Sequence, residues 1–139
     1  MTTTEARRVA PSRGTSDGAY RDAGTAICPL DRIARESGVA ALVDGEAVAV
    51  FRTYDDQVFA ISNFDPFGRA SVLSRGIVGT RGEEEIPFVA SPLLKQRFDL
   101  RTGACLDDPA VVVPTWDVQV VDGMVVVGAR RETITSCEP

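Results

Sequence analysis

The chain has 139 residues, with 15 lysine and arginine residues against 20 aspartate and glutamate residues, and it contains no histidine. This length fits one domain, and the 44% of apolar residues can fill its core without help from disulfides or a metal. The absence of histidine excludes Ser-His-Asp and Cys-His nucleophiles and imidazole zinc sites. The net charge of -5 would repel a phosphate backbone, so we expect no nucleic-acid partner.

The apolar runs of the sequence are short. The longest, at residues 39–43 and 124–127, fall far short of the roughly 20 residues that span a bilayer, and no apolar stretch follows the N-terminal arginines as a secretory signal would require. The cysteines are odd in number and widely spaced, at Cys28, Cys105 and Cys137. This usage suits free thiols in a reducing compartment, so we expect a cytoplasmic protein without a membrane segment.

Residues 26–128 are expected to form the domain, between a disordered tail at residues 1–25 and a flexible tail at residues 129–139. Two hairpins are indicated, because Asp44-Gly45 and Asp122-Gly123 each separate two apolar strands and accept the positive φ angles of a tight turn. The predicted strands lie at residues 38–43, 46–52, 57–62, 86–90, 96–100, 116–120 and 124–127, with helical turns near 29–34 and 70–75. We therefore predict an all-β fold, an antiparallel sandwich of short strands.

The middle segment, residues 63–105, differs from its flanks. It is dense in glycine and proline, which indicates long, shaped loops, and its glycine-rich stretch at residues 76–82 is predicted to be one of them. The segment carries a net charge of +1, whereas residues 27–62 and 106–128 together carry -7. A loop segment of this length in a small domain is usually functional or disordered.

Two strings in this segment resemble the ligand loops of Rieske iron-sulfur domains. They are Asn-Phe-Asp-Pro-Phe-Gly-Arg-Ala at residues 63–70 and Ser-Pro-Leu-Leu-Lys-Gln-Arg-Phe-Asp-Leu-Arg-Thr-Gly at residues 91–103. The family pattern is Cys-Pro-His in the first loop and Cys-Pro-x-His in the second, and these residues hold a [2Fe-2S] cluster. The positions that match the ligands are Asp65, Phe67, Ser91 and Leu94. The resemblance implies a Rieske-like fold with a vestigial cluster-loop segment and no cluster.

One branch of that family is more similar. Residues 27–31, 65–67, 72–79, 89–93, 95–100 and 105–108 resemble the small subunit of assimilatory NAD(P)H-dependent nitrite reductase. The resemblance implies a non-catalytic chain, without a cofactor of its own, that stabilises or orients a large subunit carrying FAD, an iron-sulfur cluster and sirohaem. It also implies a part in the reduction of nitrite to ammonium.

The four vestigial positions have two interpretations each. Asp65 and Ser91 could form a polar pocket for a small ligand or for the large subunit, but both precede proline, where such side chains more often cap turns. Phe67 and Leu94 are expected to pack as apolar fill in the space of the cluster, where each would contribute roughly 1.5–3 kcal/mol by burial.

The cations of the middle segment are predicted to contact the partner. Lys95 is the only lysine of the chain and precedes Gln96 and Arg97, while Arg69 and Arg75 lie nearby in a segment that is positive against an acidic scaffold. The alternative is a solvated surface without a partner. Two other functions stay open at this point: a Rieske-type ferredoxin for an oxygenase, which the lack of histidine disfavours, and an independent enzyme using Asp65, Lys95 or Arg97.

Overall fold

The computed structural model describes residues 24–131, together with the strand positions Thr4–Glu5 and Arg7–Arg8. The strands are β1 Thr4–Glu5, β2 Arg7–Arg8, β3 Thr25–Pro29, β4 Ser37–Val43, β5 Glu46–Arg52, β6 Val58–Ser62, β7 Phe64–Asp65, β8 Ala70–Ser71, β9 Ile77–Arg81, β10 Ile86–Ala90, β11 Arg97–Asp99, β12 Thr115–Val121 and β13 Met124–Arg131. Helix is confined, in the described residues, to the 3-10 turns Leu30–Arg32 and Leu73–Arg75. The all-β prediction is confirmed.

The largest sheet has the strand order β1-β4-β5-β6-β12-β13-β3-β2, and its neighbours are antiparallel apart from β1 and β4. Both predicted hairpins form within it. Asp44 and Gly45 have φ angles of 51° and 84°, and Asp122 and Gly123 have φ angles of 51° and 80°, as the Asp-Gly turns predicted. A second sheet, in the order β11-β10-β9, and the small pair β7-β8 carry the predicted loop segment.

Two apolar cores lie on opposite faces of strand β5. Along this strand, Val48 and Val50 point into the first core, whereas Ala49 and Phe51 point into the second. Successive side chains of a strand alternate between its faces, so a run of apolar residues without alternation is a strand buried on both sides. The first core is formed mainly by strands of the large sheet. The second core contains Val89 and other residues of the three-stranded sheet, and it packs that sheet against the large one.

Strand β9, Ile77–Arg81, corrects the prediction of a loop at residues 76–82. It pairs with β10 so that Val78 lies opposite Val89, and both side chains are buried. Gly79 favoured the prediction of a loop, because glycine weakens a strand and usually marks an irregularity. Here a Cβ at Gly79 would lie 3.1 Å from the ring of Phe88 on the partner strand, so the glycine accommodates an aromatic neighbour.

The predicted domain boundaries stay predictions. Strand β3 begins one residue before residue 26, and strand β13 continues past residue 128 to Arg131. Most of the two predicted tails, and Cys137 with them, lie outside the described residues. Among the residues that are described, no helix has the length and hydropathy to cross a membrane.

The second core predicts a contrast between two isoleucines. Ile61 is fully buried in that core, whereas Ile77 is 72% exposed. We expect Ile61→Ala to lower the free energy of unfolding by about 2–5 kcal/mol, because it leaves a cavity. The matched Ile77→Ala should change it by less than about 0.5 kcal/mol. Equal losses in urea unfolding would contradict the assignment of the second core.

Candidate functional site

The two strings that resemble ligand loops form a pair of similar turns. The first turn, residues 65–69, closes when the Arg69 N–H donates to the Asp65 carbonyl oxygen at 2.7 Å. The second turn, residues 91–95, closes when the Lys95 N–H donates to the Ser91 carbonyl oxygen at 3.1 Å. Arg69 and Lys95 both have positive φ angles, 58° and 67°. The same backbone conformation is therefore built twice.

Each turn is capped by the side chain of its first residue. Asp65 Oδ1 accepts the Phe67 N–H at 2.9 Å, and Ser91 Oγ accepts the Leu93 N–H at 3.1 Å. These are the local hydrogen bonds that aspartate and serine make at the start of turns. The turn-capping interpretation of both residues predicts this arrangement.

The same two side chains also join the turns to each other. The Ser91 hydroxyl donates to Asp65 Oδ2 at 2.5 Å, and the residues are 2% and 0% exposed respectively. Asp65 thus accepts a hydrogen bond from its own turn with one carboxylate oxygen and from the second turn with the other. In Rieske domains, the two matching cysteines are joined through one iron atom. Here a buried hydrogen bond makes the equivalent connection.

The side chains at the ligand positions do not fit a Rieske cluster. A phenyl ring and an isobutyl group have no lone pair, and Asp65 and Ser91 present hard oxygen atoms that already bond to each other. Within residues 24–131, no group of three or more histidine, cysteine, aspartate or glutamate side chains could hold a metal ion.

Phe67 and Leu94 behave differently from each other. Phe67 is partly buried against the second core, and its ring centroid lies 6.1 Å from that of Phe98. Leu94 is 55% exposed, so the expectation that it fills the interior is wrong. The buried contact between the two turns is made by Asp65 and Ser91 instead. Leu93 instead approaches the first turn, where a Cβ at Gly68 would lie 2.5 Å from its Cδ1 atom.

Three exposed apolar side chains lie in or next to the two turns. They are Phe64 at 45%, Leu93 at 45% and Leu94 at 55% exposure, and we call these three residues with Arg69 and Lys95 the loop face. Phe64 and Leu93 were missed by sequence reasoning. Phe64 lies beside Asp65, and Leu93 lies within a five-residue turn. These positions could have indicated exposure, because such a short turn cannot bury every apolar side chain.

The predicted docking residues are not equivalent in the structure. Arg69, Arg75 and Lys95 are exposed, and Arg75 ends the 3-10 turn that follows β8. The guanidinium of Arg97 instead binds Asp107, with Nη2 2.8 Å from Oδ1, and this hydrogen bond holds the pKa of the Asp107 carboxyl below its usual value. Gln96 is half-buried, and its Oε1 atom has no hydrogen-bond partner among the described residues.

The remaining candidate groups do not converge on a reactive site. Asp65 is buried against Ser91, and Arg97 is bound to Asp107, so neither is available as the acid, base or clamp of an independent enzyme. Cys105 is buried and Cys28 is half-buried, and desolvation raises the pKa of both thiols. Raised pKa values keep a thiol protonated and poorly nucleophilic.

Comparisons with known proteins agree with this geometry. A family model for the Rieske-like [2Fe-2S] domain matches residues 24–128, which confirms the predicted fold family. A nitrite reductase (NADH) small subunit from Salmonella typhimurium is 53% identical over 100 residues, covering 71% of this chain and 91% of the relative. A crystal structure of an NADH-dependent nitrite reductase small subunit from Mycobacterium tuberculosis superposes with a TM-score of 0.70 at 43% identity, covering 78% of this chain and 95% of that one.

A third relative is a large subunit. The nitrite reductase [NAD(P)H] large subunit of Klebsiella oxytoca is 45% identical over 106 residues, which are 76% of this chain and 11% of that protein. In that relative, a domain similar to this one is part of the large polypeptide.

The bond between the turns predicts a non-additive mutant cycle. Ser91→Ala leaves Asp65 Oδ2 buried without its donor, so we expect it to lower the free energy of unfolding by about 1–3 kcal/mol. Asp65→Ala should cost at least as much, and the double variant less than the sum. Ser71→Ala, at an exposed serine, is the matched control. Additive losses in denaturant unfolding would show that the two side chains do not interact.

Proposed function

Because the chain belongs to the family of Rieske-like small subunits of NAD(P)H-dependent nitrite reductase, we propose that it is a non-catalytic subunit that binds the large subunit and stabilises or orients it. The observation that carries this proposal is the buried bond between Asp65 and Ser91. This bond holds the two loops together through residues that cannot bind the cluster. We therefore infer that the loops serve to bind the partner subunit. The complex is an oxidoreductase that reduces nitrite to ammonium in nitrogen assimilation.

The redox groups of the reaction are proposed to reside in the large subunit. These would be FAD, an iron-sulfur cluster and sirohaem. The proposal is supported by residues 24–131, in which no group of three or more histidine, cysteine, aspartate or glutamate side chains could hold a metal ion. The two described cysteines, Cys28 and Cys105, are free, which supports the proposal of a cytoplasmic location.

The relative from Klebsiella oxytoca supports the proposed partner. There the similar domain is covalently joined to a nitrite reductase large subunit, so the two parts are held close together. Where such a domain is a separate subunit, the same proximity has to come from non-covalent binding.

The loop face is the proposed contact surface. Loops on a rigid scaffold commonly carry binding functions, and the second core anchors these loops through Phe98 and Val89. Exposed leucine and phenylalanine side chains gain from burial, and covering each half-exposed Leu93 or Leu94 would contribute about 1 kcal/mol. Arg69, Arg75, Lys95 and Gln96 complete the proposed surface, whereas the docking role of Arg97 competes with its internal ion pair.

An iron assay separates this function from a ferredoxin. We expect the purified chain to carry no stoichiometric iron or acid-labile sulfide, because its four ligand positions offer neither thiolate nor imidazole. The chain should also show no visible iron-sulfur absorption after reconstitution with iron and sulfide. Stoichiometric iron in the purified protein would instead favour the electron-carrier alternative.

Binding to the large subunit tests the contact surface. We expect Leu94→Asp to weaken the complex at least about tenfold, because it places a charge within an apolar contact. Leu42→Asp is the matched control, since Leu42 is 42% exposed on strand β4, and it should bind as the wild type does. The measurement is calorimetric titration of the purified subunits, together with nitrite-dependent NADH oxidation. Full activity of the large subunit alone, with no association at micromolar concentration, would contradict the proposed function.

A further inference from the structure

Most cations of the described residues are already bound to carboxylates. Arg35 and Arg52 bind Asp56, Arg97 binds Asp107, Arg101 binds Asp99, Arg130 binds Glu46 and Arg131 approaches Asp117. Arg69 and Lys95 are exposed, and within residues 24–131 neither forms an ion pair. The same holds for Arg32 and Arg81, but those two arginines lie outside the paired turns.

These two cations occupy equivalent positions in the paired turns. Each is the last residue of its turn, and each donates its N–H to the carbonyl oxygen of the first residue. The bond between Ser91 and Asp65 joins those first residues. The turn backbone therefore fixes the Cα positions of both cations, and the bond between the turns fixes these two positions relative to each other.

The residue type at these positions is not explained by the backbone. With φ angles of 58° and 67°, glycine would adopt either position without steric cost, whereas an arginine or lysine with a Cβ atom is disfavoured there. Neither side chain has an ion-pair partner within the domain to compensate. Glu36 and Glu85 adopt similar positive φ angles, so the backbone angle alone does not mark a docking residue. The two cations combine this angle with exposure and with the lack of an ion pair in the described domain, which leaves both charges available to a partner.

We propose that Arg69 and Lys95 form a matched pair of docking cations that bind carboxylates of the large subunit at the rim of an apolar recess for Leu93 and Leu94. This inference rests on the proposed function and deepens it by naming the chemistry of the partner surface. Two fixed cations beside an apolar face require two acidic groups at a set spacing around a hydrophobic depression.

The charge distribution of the domain supports an acidic partner surface. The segment at residues 63–105 has a net charge of +1, whereas residues 27–62 and 106–128 together have -7. An acidic surface would repel most of the domain and attract the loop face. Docking would then be oriented by repulsion elsewhere as well as by attraction at the two cations.

Glycine variants test the inference, because they remove the cation and also relieve the backbone. We expect Arg69→Gly and Lys95→Gly each to weaken binding of the large subunit by about three- to tenfold at low salt, with a shallower dependence of Kd on salt concentration. The thermal midpoint of the isolated chain should stay the same or rise by up to about 4 °C. Lys95→Arg, which keeps the charge, should retain binding.

Two controls separate charge and backbone effects. Glu36→Gly relieves a positive φ angle of 62° away from the loop face and should leave binding unchanged. Arg35→Gln removes an exposed cation elsewhere and should also leave the salt dependence unchanged. If the wild-type chain binds but both glycine variants bind equally well with the same salt dependence, the docking cations are refuted and the proposed function stands. If the wild-type chain does not bind at all, both proposals are refuted.

Discussion

The hydrogen bond between Ser91 and Asp65 is the constraint on which the site depends. It connects two turns that no strand pairing joins directly. Its acceptor is Asp65 Oδ2, whereas Oδ1 accepts a hydrogen bond within the first turn. In a Rieske domain a metal cluster makes this cross-link. Both residues are buried, where a hydrogen bond to a carboxylate is strong and its loss is costly, so this single contact can hold two loops in one arrangement.

Both turns begin at the ends of strands. The second turn follows strand β10, whose Val89 lies in the second core, and the first follows the short strand β7. That core also receives Ala49 and Phe51 from strand β5, which is buried on both faces. The energy that fixes the loops therefore comes largely from apolar packing, while the buried hydrogen bond selects their relative position.

Local signals in the sequence predicted most of the fold, whereas the site depends on contacts that are distant in sequence. Asp44-Gly45 and Asp122-Gly123 specify their hairpins because turn conformation depends on adjacent residues. By contrast, the two turns are connected by a bond between Asp65 and Ser91, which are 26 residues apart. The ion pair of Arg97 with Asp107 is equally non-local. Family resemblance located the loops, but it could not show which side chains point outward.

Replacing a metal by a hydrogen bond changes when the loop face becomes competent for its proposed contact. A cluster-holding domain presents its loops correctly only after iron and sulfide have been inserted, because binding of the metal and ordering of its ligands are coupled. In this chain the cross-link is made by two of its own side chains, so folding alone completes the surface. The backbone of both turns is then fixed before any partner arrives, which would lower the entropy lost in the proposed association. Assembly of the reductase would therefore depend on folding of this subunit and not on its loading with a cofactor.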